Sequence, residues 1–145
     1  MIVLNTNVIS EIMRPHPSTA VVAWLNQQPG INLFITTISL AEIGYGLRVL
    51  ADGKRRRILQ NRFDQFITQG FEYRILNFDI AAARTYSEIM GHKKEIGCPM
   101  SFPDGQIAAI TLLANNFVLA TRNIKDFNHC GLDLINPFDQ ASLLS

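Results

Sequence analysis

Cysteine, histidine, net charge and long apolar runs are all scarce in this chain, and each scarcity excludes something. Only Cys98 and Cys130 are present, far apart and without metal-ligand spacing, which rules out a disulfide scaffold or a zinc module and points to reduced thiols in a cytoplasmic setting. The three histidines, His16, His92 and His129, share no ligand spacing and fall in expected loops or helix ends. A net charge of +1 gives no overall electrostatic signature of nucleic-acid binding. The apolar runs are too short to span a bilayer, and Met1-Ile2-Val3-Leu4 carries no basic stretch ahead of it, so neither a membrane partner nor a signal peptide is expected.

What remains is a chain of 145 residues, 48% hydrophobic and 17% charged, which is enough to bury the core of one globular domain over residues 1–145. Neither repeats nor a linker interrupt it. Short apolar segments predict strands at Met1 to Leu4, Leu33 to Thr36, Tyr73 to Leu76, Phe117 to Thr121 and Leu132 to Ile135. Helical patterns lie between them, at Val8 to Met13, Ala20 to Gln28, Leu40 to Leu50, Arg55 to Gln69, Ile80 to Glu95 and Pro103 to Asn115. Pro29-Gly30, Gly53, Gly70 and Gly97-Cys98-Pro99 punctuate them. Ile58, Leu59, Phe63, Phe66 and Ile67 recur at helical spacing and predict a stripe facing the core. Strands alternating with helices predict an α/β fold with a mainly parallel sheet, whose ligands bind beyond the carboxyl ends of the strands.

Polar residues gather where that rule directs attention. Asn5 and Asn7 follow the first strand, Glu42 lies about a turn beyond the second, Asp104 opens the helix before the fourth, and Asn123 and Asp126 follow the fourth. Each has a plain structural reading. Ser39-Leu40-Ala41-Glu42 and Ser101-Phe102-Pro103-Asp104 resemble capping boxes, and the asparagines suit turns. Converging on one crevice, however, such oxygens suit a hard cation. Bare carboxylates ~4 Å apart repel by roughly 4 kcal/mol per pair at an effective dielectric of ~20, and a divalent ion reverses that sign. Phosphodiester cleavage is the chemistry such an ion supports. An aspartyl-phosphate phosphatase would need a carboxylate nucleophile at position 5 and commonly a second acid at position 7, and both are asparagine. The basic run Lys54 to Arg57, with Arg48 and Arg62 nearby, reads either as a solvated helix start or as a surface that tracks phosphates.

Four motifs in order carry a resemblance over essentially the whole chain: Leu4-Asn5-Thr6-Asn7-Val8-Ile9-Ser10-Glu11; Ser39-Leu40-Ala41-Glu42-Ile43; Asp104-Gly105-Gln106-Ile107-Ala108-Ala109; and Ala120-Thr121-Arg122-Asn123 with Asp126-Phe127 and Asn136-Pro137-Phe138. The chain resembles the PIN-domain ribonucleases, in particular the VapC and FitB-like toxins of bacterial toxin–antitoxin pairs. That resemblance implies a three-layer sandwich around a parallel sheet and a Mg²⁺- or Mn²⁺-dependent endoribonuclease acting on structured RNA such as tRNA. It also implies a homodimer and a VapB-like antitoxin, through which alone the protein would meet operator DNA. The catalytic positions carried over are Asn5, Glu42, Asp104, Asp126 and Asn123. Asn5, Asp104 and Asp126 are the metal ligands, with Asn123 a neutral alternative to Asp126 as the fourth group. The family has aspartate where this chain has Asn5. The amide keeps an oxygen and the shape but loses a charge, so weakened or absent cleavage is expected. The alternative is a PIN-like module that binds antitoxin or RNA without cutting.

Overall fold

Ile2-Val3-Leu4 is apolar on consecutive residues because its strand is covered on both faces, and in the computed structural model it lies at the centre of the sheet. The structure describes residues 1–71 and 74–139. Its strands are β1 (Ile2–Leu4), β2 (Leu33–Thr36), β3 (Ile75–Leu76), β4 (Val118–Ala120) and β5 (Asp133–Ile135). All pairings are parallel, in the order β3-β2-β1-β4-β5. The chain builds outward from β1 through β2 to β3, then crosses to the other side of β1 for β4 and β5. The reversal of direction lies between β1 and β4, the place where open α/β sheets leave a crevice.

The helices are α1 (Thr6–Ile12), α2 (Thr19–Asn26), α3 (Thr37–Arg48), α4 (Lys54–Gln65), α5 (Ile80–Glu95) and α6 (Phe102–Leu113). They sort the core into two layers by the alternation of side chains along each strand. Leu4, Ile35 and Ala120 face a cluster with Val8, Trp24, Ile43 and Phe63; Val3 and Leu119 face one with Ile89, Ile107 and Phe127. The expected three-layer arrangement, helices on both faces of a parallel sheet, is what the chain adopts. Gly105 is needed where α6 meets α5, because a Cβ there would collide with Met90 Sδ and lie 3.0 Å from Tyr86 Cε2.

Three expectations change. The third helix begins at Thr37, not Leu40, because Thr36 Oγ1 accepts from the Ser39 amide (3.1 Å) and caps the helix directly at the end of β2. The fourth helix begins at Lys54 and gives way after Gln65 to a π-type turn, Phe66–Gly70. Its apolar stripe is only partly a core stripe: Phe63 is buried, but Ile58 is 41% exposed and lines a surface cavity with Leu59, Pro15 and Arg62. Tyr73, expected in the third strand, lies outside the described residues; the strand runs over Ile75–Leu76.

Candidate functional site

Asn5 ends β1 and starts α1, and both jobs are visible in its hydrogen bonds. Its amide N–H donates to the Ala120 carbonyl at 2.9 Å, holding it level with β4, while its Oδ1 accepts from the Thr6 amide at 2.9 Å and caps the helix. Its Nδ2 donates to Thr121 Oγ1 at 3.0 Å. The side chain is only 4% exposed, so its orientation is fixed by these partners. Thr121 Oγ1 also receives the Asn123 amide (3.1 Å) and, more loosely, Asn7 Nδ2 (3.4 Å). Three donors therefore converge on one hydroxyl oxygen with two lone pairs, while its own proton has no acceptor among the described residues. A carboxylate at position 5 would accept that proton and relieve the crowding. The hydrogen bonding around this position suits an acceptor better than the amide nitrogen it holds.

Glu42 is placed by α3 and held by a file of hydroxyls. Thr36 Oγ1 donates to Ser39 Oγ (3.5 Å), Ser39 Oγ lies 2.8 Å from Thr6 Oγ1, and Thr6 Oγ1 donates to Glu42 Oε1 at 2.7 Å. Run in that order, every proton points toward the carboxylate, an arrangement in which each bond polarises the next. Glu42 is thus no capping-box partner of Ser39, which is buried inside the helix.

Asp104 sits in the first turn of α6, where Ser101 Oγ accepts from its amide at 3.3 Å and Pro103 occupies a favourable early position. Burial raises its carboxyl pKa above the usual 3.8; the Ser101 hydrogen bond opposes this, and the charges of Asp126 and Glu42 add to it. The repulsion that Asp104 meets from both neighbours is the electrostatic condition a cation relieves.

A cavity of about 520 Å³ is lined by Asn5, Thr6, Glu42, Asp104 and Asn123, together with Arg14 and Arg122. Four chain segments, far apart in sequence, meet there at the carboxyl ends of β1, β2 and β4. Asp126 is not on this wall. It lies in the 3-10 turn Ile124–Phe127 and lines a neighbouring cavity that shares Asp104. His16, His92 and His129 are all exposed and none lines either cavity.

Several participants have no obvious mark in the sequence. Thr6 and Thr121 are placed by hydrogen bonds spanning 36 and 116 residues; the one available hint was a hydroxyl directly at each strand end. Arg14 is paired with Glu11 at 3.1 Å. The Arg122 guanidinium stacks 4.4 Å over the Phe138 ring, and that ring is set by Asn136, whose side-chain oxygen accepts from the Phe138 amide at 2.9 Å.

The donors free at the cavity are all oxygen: the carboxylates of Glu42 and Asp104 and the side-chain oxygens of Asn5 and Asn123, the third carboxylate on the wall, Glu11, being paired with Arg14 at 3.1 Å. This fits a hard divalent ion that keeps several waters, and does not fit a soft or imidazole-seeking metal. Among the described residues, no three His, Cys, Asp or Glu side chains group closely enough to form a metal cage. Apart from the Arg14-paired Glu11, the wall carries two carboxylates where an acid at position 5 would make three.

Comparison with known proteins gives a consistent result. The PIN domain model matches residues 2–130. The chain is 42% identical over 141 residues to VapC ribonuclease Y4jK of Sinorhizobium fredii, covering 97% of this chain and 100% of that protein. It is 37% identical to Toxin FitB of Neisseria gonorrhoeae, covering 95% and 99% of the two chains. A solved structure of FitAB bound to a DNA fragment superposes with a TM-score of 0.89 at 36% identity, covering 96% of each chain.

Proposed function

The chain belongs to the PIN-domain family, and from that premise we propose that it is the toxin of a toxin–antitoxin pair: a Mg²⁺- or Mn²⁺-dependent endoribonuclease fold whose cleavage is silenced by the amide at position 5. The observation that carries this reading is the gathering of Asn5, Glu42, Asp104 and Asn123 on one cavity at the point where the sheet reverses direction. Glu42 and Asp104 supply the charge that would hold the ion, the oxygens of Asn5 and Asn123 complete its surroundings, and Asp126, on the neighbouring cavity, adds a negative charge that Asp104 feels. Such an ion, when bound, activates water for attack on a phosphodiester and stabilises the leaving oxygen.

The remaining work is done by the protein. Thr6 keeps the Glu42 carboxylate turned into the cavity, and Thr121 holds the side chain at position 5. Arg122, steadied by Phe138, and Arg14 present guanidinium groups on the cavity wall suited to phosphate oxygens. Asp104 must lose its proton to ligate. Its raised pKa therefore moves the acid limb of activity upward in pH.

The partner reading rests on the neighbouring surface. A mainly apolar groove of about 290 Å³, lined by Met13, Ile43, Leu47 and Leu59, opens onto the site and shares Thr6, Arg14 and Glu42 with it. An antitoxin segment with an apolar face and a basic side chain fits there, its cation meeting the acids. We assign the protein a VapB-like antitoxin, a homodimeric state, structured RNA such as tRNA as substrate, and contact with operator DNA only through the antitoxin.

Asn5 itself favours one second reading, a module that has lost cleavage and binds antitoxin or RNA without cutting. Cleavage of total tRNA by the Asn5→Asp chain, with Mg²⁺ or Mn²⁺ and with EDTA, separates the two. EDTA-sensitive cleavage appearing only with the substitution supports the nuclease. Inertness of both forms on every RNA tried leaves the binding module.

A further inference from the structure

Asp104 forms part of the wall of two cavities, and the second has no role in the reading above. It measures about 320 Å³ and is lined by Lys93, Met100, Ser101, Lys125 and Asp126 together with Asp104. Lys93, in the last turn of α5, is 2% exposed. A buried ammonium is costly unless its donors and charge are met. Here its Nζ donates to the Asn128 carbonyl at 2.9 Å and has no other hydrogen bond or ion pair among the described residues, leaving two N–H donors at the cavity. The carboxyl end of α5 offsets part of the charge through its dipole, and does nothing for those two donors. Lys125, exposed on the turn after β4, also lacks a hydrogen bond or ion pair among the described residues. With a divalent ion drawing on Asp104, Asp126 offsets one of the two ammonium charges and the cavity keeps a net positive charge.

We propose that this cavity is a phosphate subsite for the RNA strand, in which Lys93 and Lys125 hold a phosphodiester flanking the one at the metal cavity. The assignment rests on the nuclease reading for its substrate. A strand is favoured over a free anion by Phe102, the residue after Ser101 in the chain, which is 72% exposed and gives a base a face on which to stack. Asp104 then separates the reacting phosphate from its neighbour. The two lysines fix the register of the chain without reading its sequence.

The test uses the chain as it is, with Asn5, so that RNA survives the measurement, at Mg²⁺ high enough to fill its weakened site. Binding of a short labelled single-stranded RNA is followed by anisotropy across a salt series with Mg²⁺. Lys125→Gln is expected to weaken binding severalfold and to flatten the log–log salt slope by about 0.7, the share of one phosphate contact on a single strand. Lys125→Arg should restore the slope, and Lys93→Met should repeat the loss in protein whose melting shows it folded. Lys125 is exposed, so its variants decide the matter even if Lys93→Met does not fold. An unchanged slope in Lys125→Gln overturns the subsite. So does an NMR titration in which inorganic phosphate shifts the Met100 and Ser101 amides as strongly as RNA does, since that assigns the cavity to a free anion. Cleavage by Asn5→Asp alongside unchanged slopes sinks the subsite and leaves the nuclease standing; flattened slopes in a chain that never cleaves do the reverse.

Discussion

Replacing Asn5 by aspartate changes one atom type in a side chain that is 4% exposed, and its consequence for stability should reverse sign with metal. The cap to the Thr6 amide uses Oδ1 and is kept, and the second carboxylate oxygen gains the Thr121 hydroxyl proton now without an acceptor. Against this, the new charge joins Glu42 and Asp104 on one cavity wall. A like-charge pair ~4 Å apart costs roughly 4 kcal/mol at an effective dielectric of ~20; the open, solvated cavity spreads and screens this. A net loss of about 2 kcal/mol in EDTA is reasonable, which for a chain of this size lowers the melting point by roughly 5 °C. Mg²⁺ at about 100 times its Kd returns about 2.7 kcal/mol. Melting should therefore respond strongly to Mg²⁺ in the Asn5→Asp chain and weakly in the unsubstituted one. If about 3 kcal/mol of the added attraction persists in the transition state, tRNA cleavage rises on the order of a hundredfold. Differential scanning fluorimetry with Mg²⁺ and with EDTA reads the first effect, and gel assays the second. Equal Mg²⁺ shifts in both chains would refute the reasoning, because position 5 would then not touch the ion. A shift in neither would remove the metal from this cavity.

Asp104→Asn should stabilise the protein at neutral pH. The folded carboxyl has a raised pKa, so between the unfolded value near 3.8 and the folded value the native state holds more protons, and stability falls as pH rises through that window. The gain from Asn is thus expected above it and absent in melts below about pH 4, and the same change should abolish any cleavage in the Asn5→Asp background. Thr6→Val removes the donor to Glu42 and leaves the buried Ser39 hydroxyl proton without its acceptor; a loss of about 1–2 kcal/mol and a 10- to 100-fold weaker Mg²⁺ response are expected by denaturant titration and metal-dependent melting. Lys54, Arg55 and Arg57 are exposed on the first turn of α4, and exchanging all three for glutamine should flatten the single-stranded RNA salt slope by about 2. An unaltered slope would make them a solvated helix start. Light scattering at micromolar concentration should give the mass of a dimer, and a monomer would count against the self-association assigned above.

The order of strands and helices was legible because parallel strands buried on both faces are plain apolar runs, and the helices between them carry their own punctuation. Helix beginnings were less so. Thr36-Thr37-Ile38-Ser39 offers three hydroxyl residues as caps, and the end of β2, not local preference, selects Thr36. The α4 stripe misled because periodicity reports an apolar face without saying whether core or surface receives it; Phe63 meets the core, while Ile58 lines the surface cavity beside Pro15 and Arg62. At the site, Asn5, Glu42 and Asp104 were readable from their places after strands and at a helix start. The different placement of Asn123 and Asp126 was not, because it depends on how the turn Ile124–Phe127 leaves β4; Asn123 lines the cavity with Asn5, and Asp126 lines the neighbouring one that shares Asp104. The hydroxyls that orient the acids act across 36 and 116 residues, beyond the reach of any local pattern.

Asn5 caps α1 with the same oxygen whether its neighbour atom is nitrogen or oxygen, and this separates two kinds of selection. Deleting the side chain would cost a helix cap, about 1 kcal/mol, and expose the change to quality control. Exchanging carboxylate for amide escapes that scrutiny, since without metal the amide form is the less strained of the two. Of the contacts in the fold, only the Thr121 hydroxyl favours the charge; beyond that, the benefit of its chemistry alone defends it. A lineage in which that benefit lapses can drift to asparagine with an intact, long-lived protein, still presenting the surfaces by which partners know it, and one codon change away from the charged form.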